Sequence, residues 1–243
     1  MPAVCGQAGR RVTMKKMIIA ALVMLLVGTT AAFAPYDGSQ IVDYAGLSVG
    51  ASYVNETYDV VLLGGGGREK DTALQLDIAL TDYVFVGSAP VGLYMDMGAL
   101  INLKNKYTVN DQPAGDGGKS PVYADVTLGA AFKTSLGSKL NLFAAVGPEF
   151  TYFTRVYDYY DSMHYLHKVE KTFMTLGLAA NADLMFDLGG GFYLSAGARA
   201  SVYFLKWMTN EDKSWWQYES YSSDTENYFG FRGTAKVGAY FAF

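Results

Sequence analysis

The sequence predicts an all-β fold, an eight-stranded antiparallel up-and-down transmembrane β-barrel. After Pro35, apolar and polar residues alternate with a period of two in eight successive segments, a pattern typical of strands whose two faces meet different surroundings. The connections between the segments are alternately long and short. This indicates a barrel with long loops at one end and short turns at the other. Aromatic residues collect at both ends of the apolar face, as in strands that cross a bilayer.

Residues 14–34 have the pattern of a cleavable signal peptide. Lys15 and Lys16 precede an apolar run that is too short to span a membrane as a helix. The triplet Ala-Phe-Ala follows this run and provides the small residues at which signal peptidase cuts. Residues 1–13 lie before the signal, and we interpret them as a mis-annotated N-terminal extension. The barrel is therefore predicted to occupy residues 35–243.

Removal of the first 34 residues would change the charge and the cysteine content. The whole chain has 19 basic and 23 acidic residues, a formal net charge of −4. Four of the bases and none of the acids lie in this stretch, so the mature chain would carry 15 bases and 23 acids. Cys5, the single cysteine, would also be lost, which excludes disulfides. The acidic balance gives no electrostatic support for binding nucleic acid, and we expect no such partner.

The first four alternating segments predict the first half of the barrel. They are 44–54 (YAGLSVGASYV), 72–81 (TALQLDIALT), 91–104 (VGLYMDMGALINLK) and 122–133 (VYADVTLGAAFK). In each of them an apolar residue occupies nearly every second position, and small or polar residues lie between. The alternation changes phase in residues 81–90 (TDYVFVGSAP), which predicts a β-bulge there.

The last four segments continue the pattern to the C-terminus. They are 140–153 (LNLFAAVGPEFTYF), 171–186 (KTFMTLGLAANADLMF), 192–204 (FYLSAGARASVYF) and the closing stretch RGTAKVGAYFAF, which ends at Phe243. The predicted long loops are 55–71, 105–121, 155–170 and 205–227, and the predicted short turns are 81–90, 134–139 and 187–191. Because long and short connections alternate, all the long ones lie at one end of the barrel.

Period-two alternation alone does not distinguish a membrane barrel from a lipocalin-like barrel, in which the apolar residues face inward. Two features, together with the aromatic ends, favour an apolar outer wall. The polar face alternates Gly with Tyr, which suits the narrow interior of eight strands. The same face carries five acids and five bases, as an internal ion-pair network would. The acids are Asp77, Asp96, Asp125, Glu149 and Asp183, and the bases are Lys104, Lys133, Arg199, Arg232 and Lys236.

On these segments, and above all on the closing strand AKVGAYFAF, the sequence resembles the small outer-membrane barrels of the OmpA/OmpX/OmpW type. The resemblance covers residues 40–243. It implies insertion into a bacterial outer membrane, both termini in the periplasm, and a terminal strand whose Phe241 and Phe243 are read by the barrel-assembly machinery. Unlike full-length OmpA, the sequence is expected to carry no peptidoglycan-binding domain beside the barrel.

Three sets of residues are candidates for function. An interior charge network of Asp77, Asp96, Asp125, Glu149, Asp183, Arg199, Arg232 and Lys236 could act as a gate. Aromatic residues of the fourth long loop could bind a surface ligand; they are Trp207, Trp215, Trp216, Tyr218 and Tyr221. His164 and His167 lie beside Asp158 and Asp161 in the third long loop, but no third ligand or catalytic triad is readable there. We therefore predict no metal, no other cofactor and no catalytic residue.

The leading hypothesis is a small porin or OmpW-like permeability protein that passes small or hydrophobic solutes. One alternative is a non-conducting surface-exposed adhesin or structural barrel, whose loops bind host ligands. A further alternative is a lipid-modifying enzyme of the outer membrane that uses His164 as a general base. The expected partners are outer-membrane lipid, the assembly machinery, and either a hydrophobic solute or a ligand at the surface loops.

Overall fold

The computed structural model describes residues 40–60, 67–113, 123–160, 166–213 and 218–243. The predicted N-terminal extension (1–13) and signal peptide (14–34) lie outside these residues. Within the described part of the chain, no helix has the length and apolar character needed to span a membrane.

The described residues form nine strands, and eight of them build a ring. The strands are β1 (Ile41–Val60), β2 (Gly67–Val86), β3 (Val91–Val109), β4 (Gln112–Pro113), β5 (Tyr123–Ser135), β6 (Leu140–Tyr160), β7 (Leu166–Gly189), β8 (Phe192–Lys213) and β9 (Tyr218–Ala242). The two-residue β4 only folds back on the end of β3.

Each ring strand pairs antiparallel with its neighbours in chain order, and β1 closes the ring by pairing with β9. That closing ladder begins at Tyr44↔Ala242 and continues to Val60↔Thr225. Below it, the backbones of Asp43 and Phe243 exchange two hydrogen bonds. The predicted eight-stranded antiparallel up-and-down barrel is confirmed.

The barrel places apolar side chains outside and polar side chains inside, the reverse of a water-soluble protein. The outward side chains are apolar and exposed: Leu178 is 53% exposed and Val237 is 62% exposed. The inward side chains include charges, and Asp96 and Glu149 are 0% exposed. An apolar outer wall around a polar interior is the arrangement of a barrel that spans a lipid bilayer. The structure thus places the apolar faces of the predicted strands on the outside.

Several strands extend further than predicted. β6 continues to Tyr160, β8 continues to Lys213 and β9 begins at Tyr218, although these stretches were expected to be loops. We call this end of the barrel the long-strand end and the opposite end the short-turn end. These stretches lack the strict apolar alternation that marks a membrane strand, so the sequence pattern ends before the ladder does.

The predicted bulge in residues 81–90 is wrong. Pairing between β2 and β3 is unbroken from Gln75↔Asn102 to Phe85↔Gly92, and the register shifts instead between Leu74 and Gln75. The apparent change of phase has another cause. Tyr83 and Phe85 point inward and are fully buried, while the carboxyl of Asp82 occupies a position on the outer face.

A charge placed on the outer wall tests the position of the lipid band. In lipid vesicles, Ala198→Arg, at an exposed position midway along β8, is expected to lower the free energy of unfolding by about 2–4 kcal/mol. Leu136→Arg, at the exposed short-turn rim, is the matched control and should cost about 0–1 kcal/mol. Denaturant titration measures both values, and equal costs at the two positions would contradict this placement of the band.

Candidate functional site

The interior of the barrel is filled by three layers of side chains. An aromatic layer lies at the short-turn end, a belt of charged residues occupies the middle, and a second aromatic layer lies toward the long-strand end. Each layer draws residues from most of the ring strands, because every second residue of each strand points inward. The candidate site is this layered interior.

The short-turn layer is packed from aromatic rings that are fully buried. The ring centroid of Tyr83 lies 5.1 Å from those of Tyr94 and Phe143, and that of Phe85 lies 5.8 Å from Phe143. The Nζ atom of Lys133 lies 4.6 Å from the centroid of Phe85, a distance at which a cation and a ring attract each other. These rings fill part of the interior at this end.

The charged belt centres on two arginines from neighbouring strands. Arg199 Nη1 donates to Asp96 Oδ1 at 2.5 Å, and Arg199 Nη2 lies 2.9 Å from Glu149 Oε1. Arg232 Nη2 donates to both Asp125 Oδ2 and Glu149 Oε1. The two guanidinium groups therefore share Glu149 and tie β8 and β9 to the strands on the far side of the barrel.

The remaining predicted charges lie beside this centre. Lys236 Nζ is 3.2 Å from Asp183 Oδ2, which also accepts a hydrogen bond from the Tyr83 hydroxyl at 2.6 Å. Asp77 accepts a hydrogen bond of 3.1 Å from the Ser52 hydroxyl. All eight residues of the predicted network are buried inside the barrel. Lys104, by contrast, was expected to point inward and is exposed.

Two glycines make room for the buried carboxylates. A Cβ atom at Gly98 would overlap the Asp125 carboxylate, and one at Gly197 would overlap the Asp183 carboxylate. The interior of eight strands is only wide enough for side chains to interlock, so a large group on one strand needs a small one opposite. The Gly–Tyr alternation of the sequence reflects the same requirement elsewhere. Tyr203, for example, lies against Gly177 and Gly230.

The layer toward the long-strand end holds an ion pair that the sequence analysis missed. Lys206 Nζ donates to Glu56 Oε2 at 2.7 Å and lies 3.8 Å from the ring centroid of Tyr58. The rings of Phe173 and Tyr228 are 4.7 Å and 5.1 Å from the same nitrogen. A lysine enclosed by rings and a carboxylate is held by cation–π and ionic attraction together. This cage fills part of the interior toward the long-strand end.

The signal for this cage is only partly present in the sequence. Glu56 and Tyr58 continue the inward parity of Ser52, so extending the first segment would have placed both inside. The alternation of the sequence does not identify Lys206 as an inward residue, because the register of β8 against β9 shifts between Tyr203 and Trp207. Without that shift, parity would place Lys206 on the outer face.

The other predicted site residues are described only in part. Trp207 is on the outer face and about half exposed. The strand β9 includes Tyr218 and Tyr221, but their side chains lie outside the described residues, as do Trp215, Trp216 and His164. Phe241 and Phe243 are exposed at the short-turn end. Among the described residues, no group of three or more His, Cys, Asp or Glu could hold a metal ion.

No protein-family model and no curated protein matches the sequence. The fold is similar to that of several solved outer-membrane proteins. Neisserial surface protein A shares 10% identity at a TM-score of 0.45, over 83% of this chain and 97% of its own. A major outer membrane protein from Thermus thermophilus shares 16% identity at a TM-score of 0.49, over 82% of this chain and 99% of its own. The outer membrane protein AlkL shares 17% identity at a TM-score of 0.44, over 86% of this chain and 92% of its own.

The chain has the architecture of the small outer-membrane barrels of the OmpA/OmpX/OmpW type. Its own structure carries the features of that architecture, which are eight antiparallel strands in a ring, an apolar outer wall and a polar interior filled by side chains. A bilayer also explains the ring itself, since a closed sheet leaves no backbone group without a partner in hydrocarbon.

Breaking the charged belt is expected to be costly because it leaves a buried charge unpaired. Arg232→Met should lower the free energy of unfolding by about 3–5 kcal/mol. Combining it with Glu149→Gln should recover part of this loss, since the two groups are in contact. Lys139→Met at the exposed short-turn rim is the control. Denaturant titrations of the unchanged barrel, of Arg232→Met, of Glu149→Gln and of the double variant give the coupling energy, and a coupling near zero would show that the contact contributes nothing.

Proposed function

We propose that this outer-membrane barrel does not conduct along its axis and serves to present a binding surface at its long-strand end. The observation that carries this proposal is the layered interior, in which buried aromatic residues pack on both sides of a paired charged belt. The proposal favours the surface-exposed barrel over the porin among the functions expected from the sequence. It also assigns no catalytic role to the barrel.

An axial path for solutes would have to disrupt the belt. Arg199 and Arg232 lie across the centre of the interior and are bound to carboxylates from the far side. Separating such a pair inside the barrel leaves charges of both signs without partners, which is strongly unfavourable. In addition, the rings of each aromatic layer would have to move aside. Eight strands offer little space for such movement.

The long-strand end supports a role in surface binding. The four longest strands, β6 to β9, are neighbours, and the ladder between β8 and β9 continues to Lys213↔Tyr218. Residues 161–165 connect β6 to β7, and residues 214–217 connect β8 to β9. Four of the five candidate aromatic residues lie within or just after the second connection, in the order Trp215, Trp216, Tyr218 and Tyr221. Aromatic side chains are typical of binding hot spots.

Permeability is the second candidate, and one observation favours it. Asp125 Oδ1, Glu149 Oε2 and Arg232 Nη1 are buried and have no hydrogen-bond partner among the described residues. Buried polar atoms of this kind commonly bind water. A hydrated belt could pass small polar solutes if the aromatic layers separated, which would make the belt a gate.

Conductance separates the two candidates. The refolded barrel in a planar bilayer is expected to stay at baseline current at neutral and at low pH, because its interior is closed. A variant with Tyr58→Ala, Phe143→Ala and Arg232→Ala loses one large side chain from each layer and should show measurable current. Slower gel migration after heating verifies that both proteins are folded. Regular conductance steps from the unchanged barrel would favour the permeability function instead.

Adherence tests the surface role. Bacteria that display the barrel are expected to lose about tenfold or more of their adherence to host matrix when residues 214–217 are replaced by Gly-Ser-Gly-Ser, since binding energy concentrates in a few aromatic side chains. The matched control replaces residues 136–138 at the short-turn end with Gly and Ser. Adherence that is equal for both variants would argue against a binding surface at this connection.

A further inference from the structure

Basic residues cluster on the outer wall of β2 and β3 at the long-strand end. Among the described residues, the cluster consists of Arg68, Lys70, Lys104 and Lys106, and all four are exposed. We call it the basic patch. The two strands are paired here, with Thr72 opposite Lys106 and Leu74 opposite Lys104. Lys70 and Lys106 are diagonal neighbours, which lie about 7–8 Å apart. Arg68 and Lys104 continue the row at its two ends, over about 20 Å of strand in all.

The alternation of the strands separates the charges of this region by sign. Arg68 and Lys70 point outward, whereas Glu69 and Asp71 point inward and are only 7% and 3% exposed. On β3 the register shift opposite Leu74 and Gln75 has a similar effect. It changes the parity of the strand, so that Lys104 and Lys106 lie on the outer face above it. The outer face is therefore basic although the whole chain has a formal net charge of −4.

The basic patch borders the lipid band directly. Leu74, Ile101 and Leu103 are exposed on the same face, immediately toward the short-turn end. Lys70 is four residues from Leu74 along β2, about 13 Å of strand at 3.3 Å per residue. With the tilt of a barrel strand this is roughly 10 Å above the apolar residues, the height of lipid headgroups.

Acidic groups near the patch do not neutralise it. On β1, Asp59 is half-buried and its carboxylate accepts a hydrogen bond of 2.8 Å from the side-chain amide of Asn227. Asp111, in the turn after β3, is exposed. Four exposed bases thus face a single fully exposed acid among the described residues of β2, β3 and this turn.

We propose that the basic patch binds the phosphate groups of an anionic lipid in the leaflet at the long-strand end. Ammonium and guanidinium groups are strong donors to phosphate oxygens. The exposed leucines and isoleucine below them would contact the acyl chains of the same lipid. A soluble anion would need only the bases, so the apolar residues are what point to a lipid. This inference depends on the membrane orientation of the barrel and not on its proposed surface role.

Retention of lipid in nanodiscs tests the proposal. The barrel is placed in discs of phosphatidylcholine with a minor fraction of lipid A, and native mass spectrometry measures the lipid that stays bound after release. Changing all four bases to Gln is expected to weaken retention of lipid A about tenfold or more and to leave phosphatidylcholine unaffected. Lys139→Gln, at the short-turn rim, should change nothing, and Lys104→Arg with Lys106→Arg should retain binding.

Two further measurements test whether the variant is folded and whether the site binds lipid or free phosphate. Heat-modifiable migration shows whether the fourfold variant is folded, and the pair Lys104→Gln and Lys106→Gln replaces it if it is not. Inorganic phosphate is added as a competitor. Retention that depends on the bases and resists millimolar phosphate supports a lipid site. Equal retention by the unchanged protein and the Gln variants would overturn the proposal, and so would base-dependent binding of phosphate without retention of lipid A.

Discussion

Closure of the sheet between β1 and β9 is the constraint on which the rest of the structure depends. A backbone N–H or C=O group in hydrocarbon has no water to bind, so an open edge would be strongly unfavourable. The ladder from Tyr44↔Ala242 upward supplies the missing partners, and Asp43 and Phe243 complete it. Once the ring is closed, every strand has one face toward lipid and one toward a narrow interior. The period of two in the sequence follows from this division.

The interior then has to accommodate charges that cannot reach water. Burying an ion is costly unless it has a partner of opposite charge, and the belt supplies one to both arginines because Arg199 and Arg232 share Glu149. The contacts cross the barrel and join strands that are far apart in the ring. They are therefore sensitive to register, because a shift of one residue would turn each charge toward lipid. We infer that the belt specifies the register of the barrel as well as filling its centre.

The sequence contained enough information to predict the ring, the outward face and the residues of the belt, because all three depend on strict alternation. It could not locate the strand ends, since beyond the lipid the ladder of β9 continues to Tyr218 without an apolar face. Register shifts were the second difficulty. The shift in β8 concealed Lys206 and therefore its pairing with Glu56, and the shift in β3 turned Lys104 outward. Such irregularities arise from local backbone geometry, which a period of two does not encode.

The same alternation has a different consequence at each height of the barrel. Within the lipid band it separates apolar from polar residues, and immediately above the band it separates bases from acids, with Arg68 outside and Glu69 inside. Lipid headgroups carry phosphate, so a basic outer wall at this height meets a complementary surface. Inside the barrel at this end, the Glu56 carboxylate pairs with Lys206. Alternation therefore gives β2 and β3 a basic outer face, although the whole chain has a formal net charge of −4.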